Sequence, residues 1–318
     1  MKKYQKILIL KLNNNSFEQW ISEKMEACGA QVASPYPLWV QRERHLIKKT
    51  VTKLLNSISA ELTMNRQILK SLPQYERVIL FDACLHPGVL QTIKKYYGGK
   101  LILWLWNLPS DNLSAILQET PVFDSIVCFD PGVCEQLGYR YLHQFYFMPE
   151  GSTASVSANE HLNAKKLFFC GSDKNRLSLL EELSDVLTAK GYLCNFTVVN
   201  PNRSTETRQS ITLQRRMMDY PEMLQKLKEY DCLVDLVRPG QQGLTLRTLE
   251  ALFYCKKLLT NNACVKQSDF YRPENIFIVG EDAPEDLAAF FDRPFQPVED
   301  EILKKYTFEH WCQEIALL

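Results

Sequence analysis

Asp235-Leu236-Val237-Arg238-Pro239-Gly240-Gln241-Gln242-Gly243-Leu244-Thr245-Leu246-Arg247-Thr248-Leu249-Glu250-Ala251-Leu252 passes from an apolar run through a glycine-containing loop into a segment of helical periodicity. Strand, turn and helix in that order make half of a parallel βαβ unit, and the turn has the makings of an anion site. Gly240 and Gly243 let backbone approach a ligand closely, and Thr245 stands where it can cap the helix. The amide groups of the first turn then face outward toward a phosphate. Arg247 sits beside the positive end of the helix dipole, an unfavourable place unless its guanidinium reaches a diphosphate.

The same alternation extends in both directions. Downstream come short strands at 257–260 and 276–279 and two closing helices after Asp282 and Glu299; upstream lie a strand at 167–170, a helix at 177–189, a strand at 195–199 and a helix at 221–228. Pro149-Glu150-Gly151-Ser152-Thr153-Ala154-Ser155-Val156-Ser157-Ala158 breaks the pattern with small and polar residues and reads as a linker. Before it, a strand at 7–12 leads into a helix at 17–27 behind Ser16, an N-cap with Gln19 three residues on. Ile47, Val51, Leu54, Leu55, Ile58, Leu62 and Leu69 mark a long amphipathic helix over 41–70, ahead of Pro73. Residues 77–81, 100–105 and 125–129 are near-continuous apolar runs, as strands buried on both faces of a parallel sheet are. The expectation is two doubly wound α/β domains, 1–150 and 151–318, with ligand at the carboxyl ends of the strands and in the cleft between the domains.

Composition agrees with two ordinary cores. The chain has 318 residues, 46% apolar and 23% charged, and single cores stop growing at about 250 to 300 residues. Its 37 basic and 37 acidic side chains cancel, which removes the basic footprint that nucleic acid requires, so no nucleic-acid partner is expected. Residues 1–150 carry 17 basic against 13 acidic side chains, a mild excess that also suits loose attachment to an anionic lipid surface. Ten cysteines stand singly, without a C-x-x-C pair, as reduced thiols of a cytosolic protein do. The opening residues offer only four apolar positions before Lys11, too few for a secretion signal, and no window approaches the length of a membrane span.

The stretch 239–251, with Lys256-Lys257-Leu258-Leu259-Thr260-Asn261-Asn262 and Asp269-Phe270-Tyr271 after it, resembles the carboxyl-terminal half of bacterial glycosyltransferases of lipopolysaccharide and capsule biosynthesis. These enzymes have the GT-B fold, two Rossmann-like domains facing across a cleft. The resemblance implies an amino-terminal acceptor domain and a carboxyl-terminal domain for a nucleotide-sugar donor. It also implies a closing helix at about 300–318 that packs back on the first domain. Many retaining members carry two glutamates separated by seven residues here, the second binding the ribose hydroxyls. Glu250 matches the second position, and Gln242, an amide, stands at the first. The stereochemical outcome stays open.

The resemblance further implies that Gly171, Lys174 and Arg176 join Gln242, Gly243, Leu244, Thr245, Arg247 and Glu250 around the donor. Cations there would neutralise the charge that develops on the leaving nucleoside diphosphate. The implied activity is hexosyl transfer without a metal or other cofactor, to a glycan or lipid-linked acceptor, in the cytoplasm or at the inner face of the cell membrane.

In the first half Asp82, His86 and Asp111 follow apolar runs and are the candidates for the catalytic base and the acceptor contacts. Trp106 offers a stacking face, and Asp130 ends the third run. Two other readings share this fold class: a sugar-nucleotide epimerase, and a non-catalytic nucleotide-binding scaffold. A dinucleotide dehydrogenase is disfavoured because no glycine lies in 8–15.

Overall fold

The computed structural model describes residues 6–36, 64–85, 87–149 and 165–318. The helix expected over 41–70 therefore lies, up to residue 63, outside the described residues, and so do His86 and the linker beyond Pro149. The chain divides into two compact units, Met1–His143 with Phe308–Leu318, and Gln144–Thr307.

In the first unit the described strands are β1 (Ile7–Leu10), β2 (Gln31–Ala33), β3 (Arg77–Phe81), β4 (Lys100–Leu105), β5 (Ser125–Cys128) and β6 (Arg140–Tyr141). They form one sheet in the order β2-β1-β3-β4-β5-β6, parallel throughout. The helices are α1 (Ser16–Ala27), α2 (Arg66–Ser71), α3 (Pro87–Tyr96), α4 (Asp111–Glu119) and α5 (Pro131–Leu137). Leu80, Ile102 and Leu103 are fully buried, because helices cover both faces of a parallel sheet and no position along a central strand meets water. The cap of α1 is Asn15, whose side chain accepts from Glu18 N–H at 2.9 Å, so the helix begins at Ser16 and is not capped by it.

The second unit holds β7 (Lys166–Ser172), β8 (Leu193–Val199), β9 (Glu206–Arg208), β10 (Ile211–Gln214), β11 (Cys232–Asp235), β12 (Lys257–Thr260) and β13 (Ile276–Ile278). The order is β13-β12-β11-β7-β8-β10-β9, parallel except for β9, which runs antiparallel to β10 at the edge. Helices α6 (Leu177–Ala189), α7 (Tyr220–Leu227), α8 (Leu246–Phe253), α9 (Leu287–Asp292) and α10 (Asp300–Lys305) connect or close it. The chain lays β8 and β10 on one side of β7 and β11 to β13 on the other. The strand order thus reverses between β7 and β11, and at such a switch point the two following loops part and leave a crevice.

The last helix, α11 (Phe308–Ala316), belongs to the first unit. Its Trp311 meets Trp104 of β4 edge-on at 5.3 Å and Phe81 of β3 at 6.3 Å, so burial of aromatic surface holds it there.

Candidate functional site

The crevice between β7 and β11 gathers most of the residues expected around a donor. Past β7 the chain turns through Lys174 (φ 45°) and Asn175 (φ 63°), two consecutive left-handed residues that are not glycine. Asp173 holds this turn: its Oδ1 accepts from the N–H groups of Arg176 and Leu177 at 3.2 Å, and its Oδ2 accepts from Asn200 Nδ2 at 2.8 Å. The Lys174 side chain is thereby exposed at the carboxyl end of the sheet.

Beside it, Asp235 ends β11 with 3% exposure and accepts on Oδ2 from Thr245 Oγ1 at 2.6 Å and Thr248 Oγ1 at 2.9 Å. Thr245 in turn accepts from Thr248 N–H at 3.2 Å, the N-cap bond expected from the sequence. This acid fixes the start of α8 against the end of β11. The loop between them is braced by Asn261, which bonds both backbone groups of Val237, and by Asn262, whose Nδ2 donates to the carbonyls of Gln242 and Gly243 at 3.2 Å. Gly240 lies in the left-handed region (φ 81°), which only glycine adopts without strain. Gln242 is exposed, and the Leu244 side chain is buried in the core.

Charge in the crevice is unbalanced. Partial burial holds the Lys174 ammonium below its ordinary range, and the nearby Arg238 and Arg176 guanidinium groups lower it further against the opposing charge of Asp235. Cations that depress one another in this way are relieved by an anion. Arg238 is exposed at the loop's start and was not singled out in the sequence; its place directly after an apolar run was the available signal.

The three remaining charged candidates face inward. Arg176 spends its guanidinium on the carbonyls of Leu236, Ser172 (2.7 Å) and Asp173 (3.3 Å), clasping the ends of β7 and β11 while lying over the Phe169 ring. Gly171 makes room for that crossing: a Cβ there would stand 3.3 Å from Phe169 Cζ and 3.6 Å from Arg176 Nη2. Arg247, expected to point at a diphosphate, donates from Nη2 to Cys170 O at 2.6 Å and brings Nη1 to 2.6 Å from Glu250 Oε2. Burial disfavours its charge, but Glu250 together with Cys170, Tyr220 and Asp235 outweighs this and raises its pKa above the ordinary value. Glu250 is only 2% exposed, and its Oε1 accepts from Tyr220 Oη at 2.6 Å. Burial pushes its carboxyl up, and Arg247 and Tyr220 restrain the rise. Oε2 has the ion-pair contact but no aligned hydrogen bond. Tyr220, thirty residues away in sequence, had no local signal.

In the first unit an open pocket of about 240 Å³ is lined by Asp82, Asn107, Leu108, Ser110 and Asn112 among others. Asp82 Oδ2 accepts from Asn107 N–H at 3.0 Å and from its Nδ2 at 3.1 Å, and Oδ1 accepts from Ala83 N–H at 2.9 Å. Burial raises the Asp82 pKa against these bonds. Asp111 is exposed in the first turn of α4, next to lining residues without being one. Trp106 stacks on Phe81 at 5.5 Å and meets Phe17 at 6.1 Å, so its ring is engaged within the unit. Asp130 is fully buried and caps α5 through Val133 N–H at 3.0 Å, a structural role. Among the described residues no three His, Cys, Asp or Glu side chains gather as a metal ion requires, and no helix is long and apolar enough to cross a membrane.

No protein-family model and no curated protein matches the chain. Among solved structures, an α-glucosyltransferase in complex with UDP and a 13-mer DNA containing a central A:G mismatch is similar at 12% identity and a TM-score of 0.55, over 98% of each chain. An α-glucosyltransferase with UDP and a DNA containing an HMU base gives 12% and 0.52 over 98% of each. The spinosyn rhamnosyltransferase SpnG gives 12% and 0.43, over 98% of this chain and 95% of that one. What is shared at such identity is the fold alone: each unit is a parallel-sheet α/β unit, and the chain has the α/β fold of the GT-B glycosyltransferases.

Proposed function

We propose that the protein transfers a sugar from a nucleotide-sugar donor to an acceptor hydroxyl. The observation that carries this reading is the cation-rich switch point of the second unit, where Lys174, Arg238 and Arg176 outnumber the acids Asp235 and Asp173 beside the capped start of α8. Such a site takes a diphosphate, and the reaction needs one because negative charge develops on the leaving nucleoside diphosphate. Lys174, Arg238 and the amides around Gly243 to Thr245 hold the diphosphate. Arg176 and Arg247 act from behind, clasping the strands and adding positive field, while Glu250, expected at the ribose, is buried against Arg247 and Tyr220 and holds Arg247 in place. The UDP named with the two α-glucosyltransferases is in keeping with a nucleotide at this fold's donor site.

The first unit takes the acceptor, with Asp82 as the base that removes the hydroxyl proton. Desolvation, which raises its pKa, makes it a stronger base than an exposed aspartate. Asp111 contacts the acceptor from the pocket rim. We place the acceptor among the glycans and glycolipids of surface polysaccharide, on the resemblance of residues 239–271 alone. Transfer proceeds without a metal cofactor, and the mildly basic first half suits peripheral attachment to a membrane's inner face.

The test is thermal stabilisation by UDP, GDP, ADP, CMP and their sugars, followed by donor consumption with a glycan acceptor panel. A ligand at about 100 times its dissociation constant adds roughly 2.7 kcal/mol. One nucleotide that stabilises, and whose sugar is consumed only with acceptor, supports transfer. Consumption to an isomerised sugar without acceptor marks an epimerase, binding without turnover marks a scaffold, and no binding at all refutes the reading.

A further inference from the structure

The cations of the second unit do not stop at Lys174. The ladder register places Ser172 of β7, Val199 of β8 and Gln214 of β10 side by side at the carboxyl ends of their strands. Pairing continues one step beyond: Asp173 N–H donates to Val199 O and Asn200 N–H to Gln214 O, each at 2.9 Å. Side chains tie the same three loops together, Asn200 Nδ2 donating to Asp173 Oδ2 at 2.8 Å and Arg215 Nε to Arg203 O at 3.1 Å. Lys174, Arg203, Arg215 and Arg216 therefore stand on one braced row of loops. At about 4.8 Å between neighbouring strands, the end of the row at β10 is roughly 10 Å from β7.

The charge of this row is uncompensated. Arg203, Arg215 and Arg216 are exposed, and among the described residues no carboxylate lies within ion-pair distance of any of them. Arg208, on the hairpin of β9 and β10, is satisfied by contrast: its Nε meets Glu206 Oε1 at 2.7 Å. Arg215 spends one of its five N–H donors on the Arg203 carbonyl, which fixes its direction and leaves its two Nη groups free.

The other flank of the switch point has the opposite character. The loops after β12 and β13 carry Asn261, Asn262, Glu281 and Asp282, with Glu281 paired to Lys266 at 2.7 Å. A ligand whose diphosphate lies between β7 and β11 thus has acids on one side and three open guanidinium groups on the other. A neutral saccharide gains little from that row, whereas a carboxylate or phosphate about 10 Å from the diphosphate is met there by forked donors.

We propose that Arg203, Arg215 and Arg216 form a second anion subsite, and that the saccharide handled by this protein is an acidic one whose carboxylate or phosphate docks there. The inference deepens the nucleotide-sugar reading above and rests on it for the place of the diphosphate. The anionic group belongs either to the transferred sugar or to the acceptor.

The experiment is calorimetric titration with two matched pairs of probes: the glucuronate and glucose conjugates of the nucleoside diphosphate that stabilises wild type best, and trigalacturonate with its neutral methyl ester. A guanidinium fork receives carboxylate and phosphate alike, so a uronate probes the subsite for both. Charge-assisted hydrogen bonds predict that wild type binds the acidic member of one pair at least about tenfold more tightly than the neutral member, and the pair that shows it tells donor from acceptor. In the double variant Arg215→Gln, Arg216→Gln that ratio should fall to about twofold or less. In Arg208→Gln, whose guanidinium Glu206 already neutralises, it should stay as in wild type. Equal affinities within both pairs in wild type, a ratio that survives the double variant, or an equal fall in Arg208→Gln overturns the inference and leaves the nucleotide reading intact. Wild type that binds no nucleotide overturns that reading, and the trigalacturonate pair then decides the subsite by itself.

Discussion

Removing Glu250 and removing Arg247 should have different pH signatures, because only one of the two residues can escape its charge. In Glu250→Ala the guanidinium of Arg247, with its side chain 12% exposed, is left without its carboxylate and cannot shed its proton. Breaking a buried pair in this way costs about 3–5 kcal/mol. At about 2–4 °C per kcal/mol for a unit of this size, the melting temperature should fall by roughly 6–20 °C. In Arg247→Met the orphaned carboxyl can take up a proton, at a cost bounded by about 1.4 kcal/mol for each pH unit above its free value of about 4.3. That bound is roughly 1 kcal/mol at pH 5 and under 4 kcal/mol at pH 7. Burial already raises the Glu250 pKa in the folded protein, and loss of Arg247 raises it more. A group with a raised folded pKa contributes its stability below the unfolded pKa and loses it as pH rises through the folded one. The Arg247→Met deficit relative to wild type should therefore shrink from pH 8 to pH 5, and the Glu250→Ala deficit should not. Replacing both residues by apolar ones should recover most of the loss. Thermal melts of the four proteins at pH 5, 6, 7 and 8 decide it. A Glu250→Ala melt within about 2 °C of wild type, or deficits that run in parallel with pH, would refute the claim that the pair is buried and charged.

Lys174→Ala and Arg238→Ala should each weaken binding of a nucleoside diphosphate by about tenfold, with a shallower salt dependence than wild type, read by calorimetry at two ionic strengths. Equal affinity in both variants would remove them from the site. The acid limb of kcat/KM should lie above the ordinary aspartate value of about 3.9, because burial raises the Asp82 pKa and protonation removes the base as pH falls. Asp82→Asn should abolish that limb along with most of the turnover, and a pH profile unchanged by the substitution would assign the base elsewhere. Asp130→Ala should cost about 1 kcal/mol or more through the lost cap of α5 without changing donor KM, measured by denaturant unfolding and initial rates.

The central strands were legible from sequence because a strand covered on both faces leaves no polar position: β3, β4 and β5 stand out as unbroken apolar runs. Edge elements were not. β2 is three partly exposed residues and β9 is exposed throughout, so their places in the sheets come from pairing with β1 and β10 and not from any pattern of their own. In the site, the strand, glycine turn and helix of 235–252 fixed where Thr245 and Gly240 fall, since caps and left-handed turns are local. The direction of a long charged side chain is not local. Arg247 and Arg176 find carbonyls 77 and 60 residues away, and Glu250 finds Tyr220 thirty residues away. Only the fold could show that these groups turn inward while Lys174 and Arg238 face out.

The account is tested most directly by a crystal structure of the protein with the nucleoside diphosphate that stabilises it best. It predicts the diphosphate at the carboxyl ends of β7 and β11, with Lys174 and Arg238 and the first-turn amides of α8 within hydrogen-bond distance of its oxygens. A nucleotide bound elsewhere, or one whose phosphates leave both cations unengaged, would contradict it.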